Sequence, residues 1–144
     1  EATFACIGPI DAGLLASIQN TPSMVAPGLI PDAVTLYRAF DLYVSTSLSE
    51  GLGSALLDAV VRDIPSVALD AGGVRDIFEP YPHRCVSTAN LFAEKVREVL
   101  TDLDRAKEEA RDHGCWARTI FSEANFIQGH LAVYRGCPGQ HFPG

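Results

Sequence analysis

The chain has 144 residues, of which 47% are hydrophobic and 20% are charged, and its formal net charge is -7. This composition can bury enough apolar surface to fold, which excludes an intrinsically disordered chain, and no apolar run reaches the roughly 18–20 residues of a membrane span. The acidic balance argues against binding to nucleic acid, and without a signal-peptide pattern we expect a cytoplasmic protein.

The first 40 residues alternate between apolar runs and helical patterns. Strands are predicted at residues 3–7 and 24–26, with a helix between them that Asp11 caps. Pro31 and Asp32 are typical of the start of another helix. This order indicates a strand–helix–strand unit followed by a helical segment.

The strongest strand candidate is the segment 41–47, which is rich in β-branched and aromatic residues. A loop with glycines, a helix to about Asp63 and a strand at 66–70 follow, and then a short helical turn and a weaker strand at 84–87. Apolar strands that alternate with helices indicate a parallel sheet covered on both faces. The predicted fold class is therefore α/β, with a Rossmann-like, doubly wound sheet.

The C-terminal part of the chain, from residue 89 to residue 134, has an almost wholly helical pattern. We expect breaks in it at Gly114 and at Phe121, where the next residue, Ser122, is a good helix N-cap. Residues 1–135 are expected to form a single domain, and residues 136–144 a flexible tail.

Two loops follow apolar strands at the edge where an open parallel sheet binds ligands. The first, at 45–54, carries Gly51 and Gly53 just before a helix, and free backbone N–H groups at a helix start suit a phosphate. The alternative is an ordinary turn in which Ser49 or Glu50 caps the helix. Taken alone, the glycine spacing favours that alternative.

Asp58 lies in the helix after the first loop. That helix is apolar nearly all round, which would place the carboxylate among apolar neighbours, where it needs hydrogen-bond donors. The alternative is that Asp58 reaches solvent or pairs with Arg62, four residues further on. The sequence gives the two alternatives equal weight.

The second loop, at 70–77, also has two glycines, Gly72 and Gly73, before a short helical turn. The alternative to a binding loop is a left-handed turn with Asp76 near a helix N-terminus. Neither loop has a nucleophile with a neighbouring base, and the scattered cysteines and histidines form no zinc-site pattern. The two loops together indicate a site for a diphosphate and for hydroxyl groups.

Five motifs occur in order between residues 39 and 77: AFDLYVSTS (39–47), SEGLG (49–53), LLDA (56–59), IPSVA (64–68) and GGVRDI (72–77). Together they resemble the C-terminal, donor-binding domain of group 1 retaining glycosyltransferases with the GT-B fold. The hallmark of that family is a Glu, seven intervening residues and a second Glu. Glu50 and Asp58 occupy the two matching positions.

The resemblance implies a role for each of these residues. Glu50 is the catalytic residue and orients the donor sugar through its hydroxyls, while the second acid holds the ribose hydroxyls of the nucleotide. Here that acid is Asp58, which is one methylene shorter than the Glu of the family. The donor-binding set implied by the resemblance is Ser49, Gly51, Leu52, Gly53, Ser54, Asp58, Gly72 and Gly73.

The resemblance also implies the reaction: transfer of a sugar, with retention, from a UDP-, GDP- or ADP-sugar substrate to an acceptor, without metal or cofactor. The family carries an Arg–Lys clamp for the diphosphate in an earlier strand–helix unit, but no Arg or Lys precedes Arg38 here. We therefore expect an incomplete domain, with that unit and the N-terminal acceptor domain missing and no turnover by this fragment alone.

Three further expectations concern the whole chain. The segment 121–134 resembles the family's C-terminal helix, which packs toward the other domain, so an exposed apolar patch is expected on it. A degenerate glycosyltransferase-like module that only binds a partner remains the main functional alternative. A sugar-nucleotide epimerase of related architecture is a less favoured one.

Overall fold

The structure, a computed structural model, describes residues 2–136. The chain divides into two compact units, one up to Leu36 and one from Tyr37 onward. The single domain expected at 1–135 stays a prediction. The expected tail lies, apart from Gly136, outside the described residues.

The first unit is a parallel strand–helix–strand arrangement, as predicted. Strand β1 (Phe4–Ile7) pairs in parallel with β2 (Met24–Gly28), and helix α1 (Ala12–Gln19) connects them. Asp11 caps α1, because its carboxylate accepts hydrogen bonds from two backbone N–H groups of the first turn at 2.9 and 3.0 Å. Strand β2 continues two residues beyond the predicted end.

The second unit contains a three-stranded parallel sheet in the order β3-β4-β5. Its strands are β3 (Tyr43–Ser45), β4 (Ser66–Leu69) and β5 (Cys85–Val86). Parallel pairing brings the carboxyl ends of all three strands to one edge, where the loops after β3 and β4 also lie.

The helices of the second unit follow the predicted order. They are α2 (Ser54–Val60), α3 (Val74–Ile77), α4 (Ala89–Thr101), α5 (Leu103–Ile120), α6 (Glu123–Tyr134) and a short 3-10 helix (Pro82–Arg84). The helix predicted after Pro31 is a 3-10 helix, Ala33–Ala39, and its β-branched residues Val34 and Thr35 disfavour α-helix.

The sheet of the second unit is covered on both faces because successive residues of a strand point to opposite sides. In β4, Val67 packs with Val96 and Val99 of α4, whereas Ala68 packs with Leu56 of α2. All five side chains are buried. The predicted Rossmann-like arrangement is thus confirmed in the second unit.

The helical C-terminal part breaks at Asp102, where the carboxylate accepts the N–H of Arg105 at 3.2 Å and so caps α5. The break predicted at Gly114 is wrong, since this residue lies inside α5. A Cβ at position 114 would lie 2.0 Å from Oδ1 of Asp63 and 2.8 Å from the carbonyl oxygen of Val60. Glycine therefore allows α5 to approach the end of α2.

The second predicted break is confirmed. Ser122 caps α6 by accepting the N–H of Asn125 at 3.3 Å. Just before it, Trp116 packs edge-on against Phe121, with ring centroids 5.8 Å apart, and lies 5.9 Å from the ring of His113. These aromatic contacts hold the end of α5 where α6 begins.

Helix α6 carries the exposed apolar patch that was expected. None of its residues is buried, and its large apolar side chains Phe126, Ile127, Val133 and Tyr134 are exposed. Within residues 2–136 no helix combines the length and the hydropathy needed to cross a bilayer.

A polar cluster around the buried residues Arg84 and His113 links α5 to the segment before β5. Arg84 donates to Glu109 at 2.6 Å, and Arg105 donates to the other oxygen of Glu109 at 3.0 Å. Nε2 of His113 donates to the carbonyl oxygen of Ile77 at 2.7 Å, since a carbonyl can only accept. Burial lowers the pKa of His113, the Ile77 bond opposes that shift, and the charge of Arg84 adds to it.

We expect the free energy of unfolding to fall as the pH drops below the usual His113 pKa of 6.5. Because the folded-state pKa is lowered, the unfolded chain binds this proton more readily. The stabilisation is complete above the unfolded pKa and is lost as the pH falls toward the folded pKa, by at most about 1.4 kcal/mol per pH unit. Urea unfolding at several pH values measures this slope.

The matched variants are His113→Gln and His83→Gln. Burial also lowers the pKa of His83, but its side chain is 46% exposed, so its share of the slope should be smaller. The slope should flatten more in His113→Gln than in His83→Gln. An unchanged slope in His113→Gln would contradict the assignment.

Candidate functional site

The first glycine loop joins β3 to α2. Gly53 has φ 83° and ψ 62°, a left-handed conformation that favours glycine, and it directly precedes the first residue of α2. No side chain caps α2, so the alternative in which Ser49 or Glu50 caps it is wrong. The first-turn N–H groups of α2 thus have no side-chain acceptor among the described residues.

The second glycine loop lies directly against the first. The N–H of Gly73 donates to the carbonyl oxygen of Gly51 at 2.7 Å. A Cβ at Gly72 would lie 1.9 Å from the carbonyl oxygen of Glu50, and one at Gly73 would lie 2.4 Å from that of Gly51. The structure therefore brings the two predicted loops together, and Gly72 and Gly73 allow a close approach between their backbones.

The remaining predicted residues of the first loop are open to solvent. Ser49, Gly51, Leu52 and Ser54 are exposed, and a Cβ at Gly51 would meet no atom within 4 Å. Glu50 is half-buried. One side of this loop packs on the second loop, and the other side is accessible to a ligand.

Both predicted carboxylates lie near one tyrosine, Tyr43 of β3. Burial, together with smaller contributions from the charges of Tyr37, Glu50 and Asp58, raises the pKa of Tyr43 to about 12. The phenol is therefore protonated at neutral pH and is influenced by both acids. Sequence reasoning missed Tyr43, although a tyrosine in an apolar strand that leads into a site is a detectable signal.

Asp58 pairs with Arg62, as one of the two alternatives proposed. Arg62 donates to Oδ1 of Asp58 at 2.8 Å and to its carbonyl oxygen at 2.8 Å. The Asp58 side chain is 49% exposed, so the alternative of a carboxylate among apolar neighbours is wrong. Its side of α2 is open to solvent, and Oδ2 has no hydrogen-bond partner within residues 2–136.

A tyrosine supports this ion pair. The guanidinium of Arg62 lies 5.6 Å from the ring centroid of Tyr37, and the hydroxyl of Tyr37 donates to the carbonyl oxygen of Ala55 at 2.8 Å. Tyr37 is thus fixed to α2 by its hydroxyl and to Arg62 by its ring. These contacts limit the positions that Arg62 and Asp58 can adopt.

The second loop contains an ion pair that the sequence analysis did not identify. Arg75 of α3 donates from Nε to Oδ1 of Asp70 at 2.7 Å and also from Nη2 to Oδ2. This bidentate hydrogen bonding lowers the pKa of Asp70. Among the described residues, no three His, Cys, Asp or Glu side chains are placed to hold a metal ion.

The comparisons with known proteins agree with this geometry. The family model "Glycosyl transferases group 1" matches residues 21–113. No curated protein sequence matches the chain significantly. The crystal structure of Anabaena HepE in complex with UDP and glucose is similar, with a TM-score of 0.77 and 18% identity over 93% of this chain.

This structural match covers 40% of HepE, so the chain spans less than half the length of that protein. At this identity the likeness shows the fold alone, which is Rossmann-like. The family match covers more than half of the chain and includes both glycine loops together with Glu50 and Asp58. The chain therefore belongs to the group 1 glycosyltransferases.

Proposed function

We propose that this chain is the nucleotide-sugar-binding part of a retaining glycosyltransferase that transfers a sugar from a nucleoside diphosphate donor to an acceptor. The observation that carries the proposal is the meeting of the two glycine loops at the carboxyl edge of the sheet, with Glu50 and Asp58 beside Tyr43. Family membership supports it.

The diphosphate is proposed to bind along the accessible side of the first loop. Backbone N–H groups after Gly51 and at the start of α2 can donate to phosphate oxygens, whose negative charge grows as the sugar–phosphate bond breaks. This stabilisation is electrostatic and needs no protein nucleophile. Glu50 is proposed to accept hydrogen bonds from the sugar hydroxyls and to orient the anomeric carbon.

The ribose is proposed to bind at Asp58. Arg62 occupies Oδ1 of this carboxylate and leaves Oδ2 as an acceptor for a ribose hydroxyl. With one oxygen engaged by Arg62, the carboxylate offers fewer acceptor sites to the two ribose hydroxyls than a free carboxylate would. We therefore expect a ribose contact of moderate strength.

The acceptor is proposed to bind to a further domain of the intact enzyme. The chain corresponds to only 40% of HepE, and the exposed apolar side chains of α6 suit a packing surface for such a domain. The isolated chain should bind the donor without turning it over.

The test is calorimetric titration with UDP and with UDP-glucose, since HepE was solved with UDP and glucose. Asp58→Asn should weaken binding of both ligands about tenfold, because both contain the ribose. Glu50→Gln should weaken UDP-glucose about tenfold and leave UDP nearly unchanged, because only UDP-glucose contains the sugar. Glu94→Gln, an exposed change on α4, is the matched control.

Two results would count against the proposal. Equal losses for UDP and UDP-glucose in Glu50→Gln would remove Glu50 from the sugar site. No binding of either ligand by the unaltered chain at millimolar concentration would favour the non-catalytic module instead. EDTA should leave the affinity for UDP unchanged, because donor binding is proposed to need no metal.

A further inference from the structure

A second concave site lies at the opposite edge of the β3-β4-β5 sheet. Asp41 precedes β3 and Ile64 precedes β4, so the amino ends of these strands form its floor. The cleft encloses about 330 Å³. Its position at the amino edge separates it from the glycine loops, which follow the carboxyl ends of the same strands.

Three cations line this cleft from two sides. Arg38 lies in the 3-10 helix Ala33–Ala39, while Lys107 and Arg111 lie four residues apart on one face of α5. Like charges at this spacing repel one another in the unliganded helix. An anion between the cations would remove that repulsion.

Two of these cations lack a carboxylate partner. Lys107 pairs with Asp41 at 3.0 Å, and the other lining acid, Asp63, pairs with Arg118 at 2.8 Å. Neither Arg38 nor Arg111 forms an ion pair within residues 2–136. The two acids that line the cleft are thus paired with Lys107 and Arg118, and the two arginines without a carboxylate partner are a local excess of positive charge in a chain with 18 acidic residues and 11 basic ones.

The lining of the cleft also includes apolar residues. These are Phe40, Ile64 and Pro65, besides the charged residues already named. Its volume falls within the range of about 300–1,000 Å³ that is typical of small-molecule sites. The cleft therefore has room for an organic group as well as for an anion.

We propose that this cleft binds the phosphate monoester of a small organic molecule with an apolar or ring-shaped body. The planar guanidinium groups of Arg38 and Arg111 offer paired N–H donors that match phosphate oxygens, and Lys107, which pairs with Asp41, can add a further N–H donor. The apolar body packs on Phe40 and Ile64. Because the donor loops lie at the other edge of the sheet, both sites can be occupied at once.

The experiment is a titration of the ¹⁵N-labelled chain followed by NMR, with phenyl phosphate, inorganic phosphate and phenol as probes at constant ionic strength. Phenyl phosphate should shift the amides of residues 38–41 and 107–111 and should bind more tightly than the other two probes. Arg38→Gln and Arg111→Gln should each weaken it about tenfold. Arg97→Gln, an exposed change of the same charge on α4, should have no effect.

Other outcomes would overturn the proposal. Equal binding of phenyl phosphate and inorganic phosphate would mean an adventitious ion only, as would equal losses in Arg97→Gln and Arg111→Gln. Shifts confined to the glycine loops would place the anion in the donor site. Binding of UDP should be unchanged in Arg111→Gln. Arg111→Lys keeps the charge but loses the paired N–H donors of the guanidinium group, so its affinity for phenyl phosphate should lie between those of the unaltered chain and Arg111→Gln.

Discussion

Gly72→Ala is expected to lower the free energy of unfolding by about 3–5 kcal/mol and to abolish donor binding. Gly72 has φ 57°, where a side chain is strained, and its Cβ would lie 1.9 Å from the carbonyl oxygen of Glu50. The backbone fixes the position of Cβ, and the oxygen that it meets is a backbone atom, so no side-chain rotation can relieve the clash. The two glycine loops would have to separate, which would displace Glu50.

Gly51→Ala is the matched control in the adjoining loop. An added Cβ there meets no atom within 4 Å, so its stability should change by no more than about 1 kcal/mol. Urea unfolding followed by circular dichroism compares the two variants, and titration with UDP reports the site. Equal destabilisation of both variants would show that the loops do not pack as described.

Gly114→Ala is expected to destabilise the chain by about 2–4 kcal/mol, although alanine inside a helix is usually better than glycine by about 1 kcal/mol. The added Cβ would lie 2.0 Å from Oδ1 of Asp63 and 2.8 Å from the carbonyl oxygen of Val60. Arg118 holds Asp63 in place with an ion pair of 2.8 Å. Helix α5 would therefore have to move away from the end of α2.

Asp63→Gly removes the clash with Oδ1 of Asp63 and leaves the clash with the carbonyl oxygen of Val60. Asp63 has φ 61°, and glycine relieves that strain by about 1 kcal/mol, which offsets the loss of its exposed ion pair with Arg118. Asp63→Gly alone should thus be nearly neutral. In the double variant, Asp63→Gly should restore at least about 1 kcal/mol of the free energy of unfolding that Gly114→Ala removes. A double-mutant cycle measures this coupling energy. Additive effects would contradict this contact.

Much of the fold was predictable because it depends on local pattern. The alternation of apolar runs with helical periodicity gave the order of β3, α2, β4 and α3, and the caps at Asp11 and Ser122 were recognisable from residue type. The helix break predicted at Gly114 was wrong because it depends on contacts that are distant in the sequence. Gly114 interrupts no helix, because its role depends on where Asp63 and Val60 lie in space, and this cannot be read from the neighbouring residues.

The candidate site was predictable to a similar extent. The spacing of Glu50 and Asp58 and the two glycine loops were visible in the sequence, and so was the pairing of Asp58 with Arg62 as part of one of two alternatives. Spacing could not decide between a buried Asp58 and one that reaches solvent or Arg62, because the choice depends on which side of α2 is covered. The charges acting on Tyr43 arise from residues of three elements that only the fold brings together.

Trp116 is the only tryptophan of the chain, so all indole fluorescence comes from this one residue, whose ring contacts Phe121 and His113. A protonated imidazole beside an indole quenches its emission, whereas a neutral one does so far less. The fluorescence intensity should therefore follow the titration of His113 without any label. The same signal would report when the junction of α5 and α6 opens, and would distinguish that event from changes at the glycine loops.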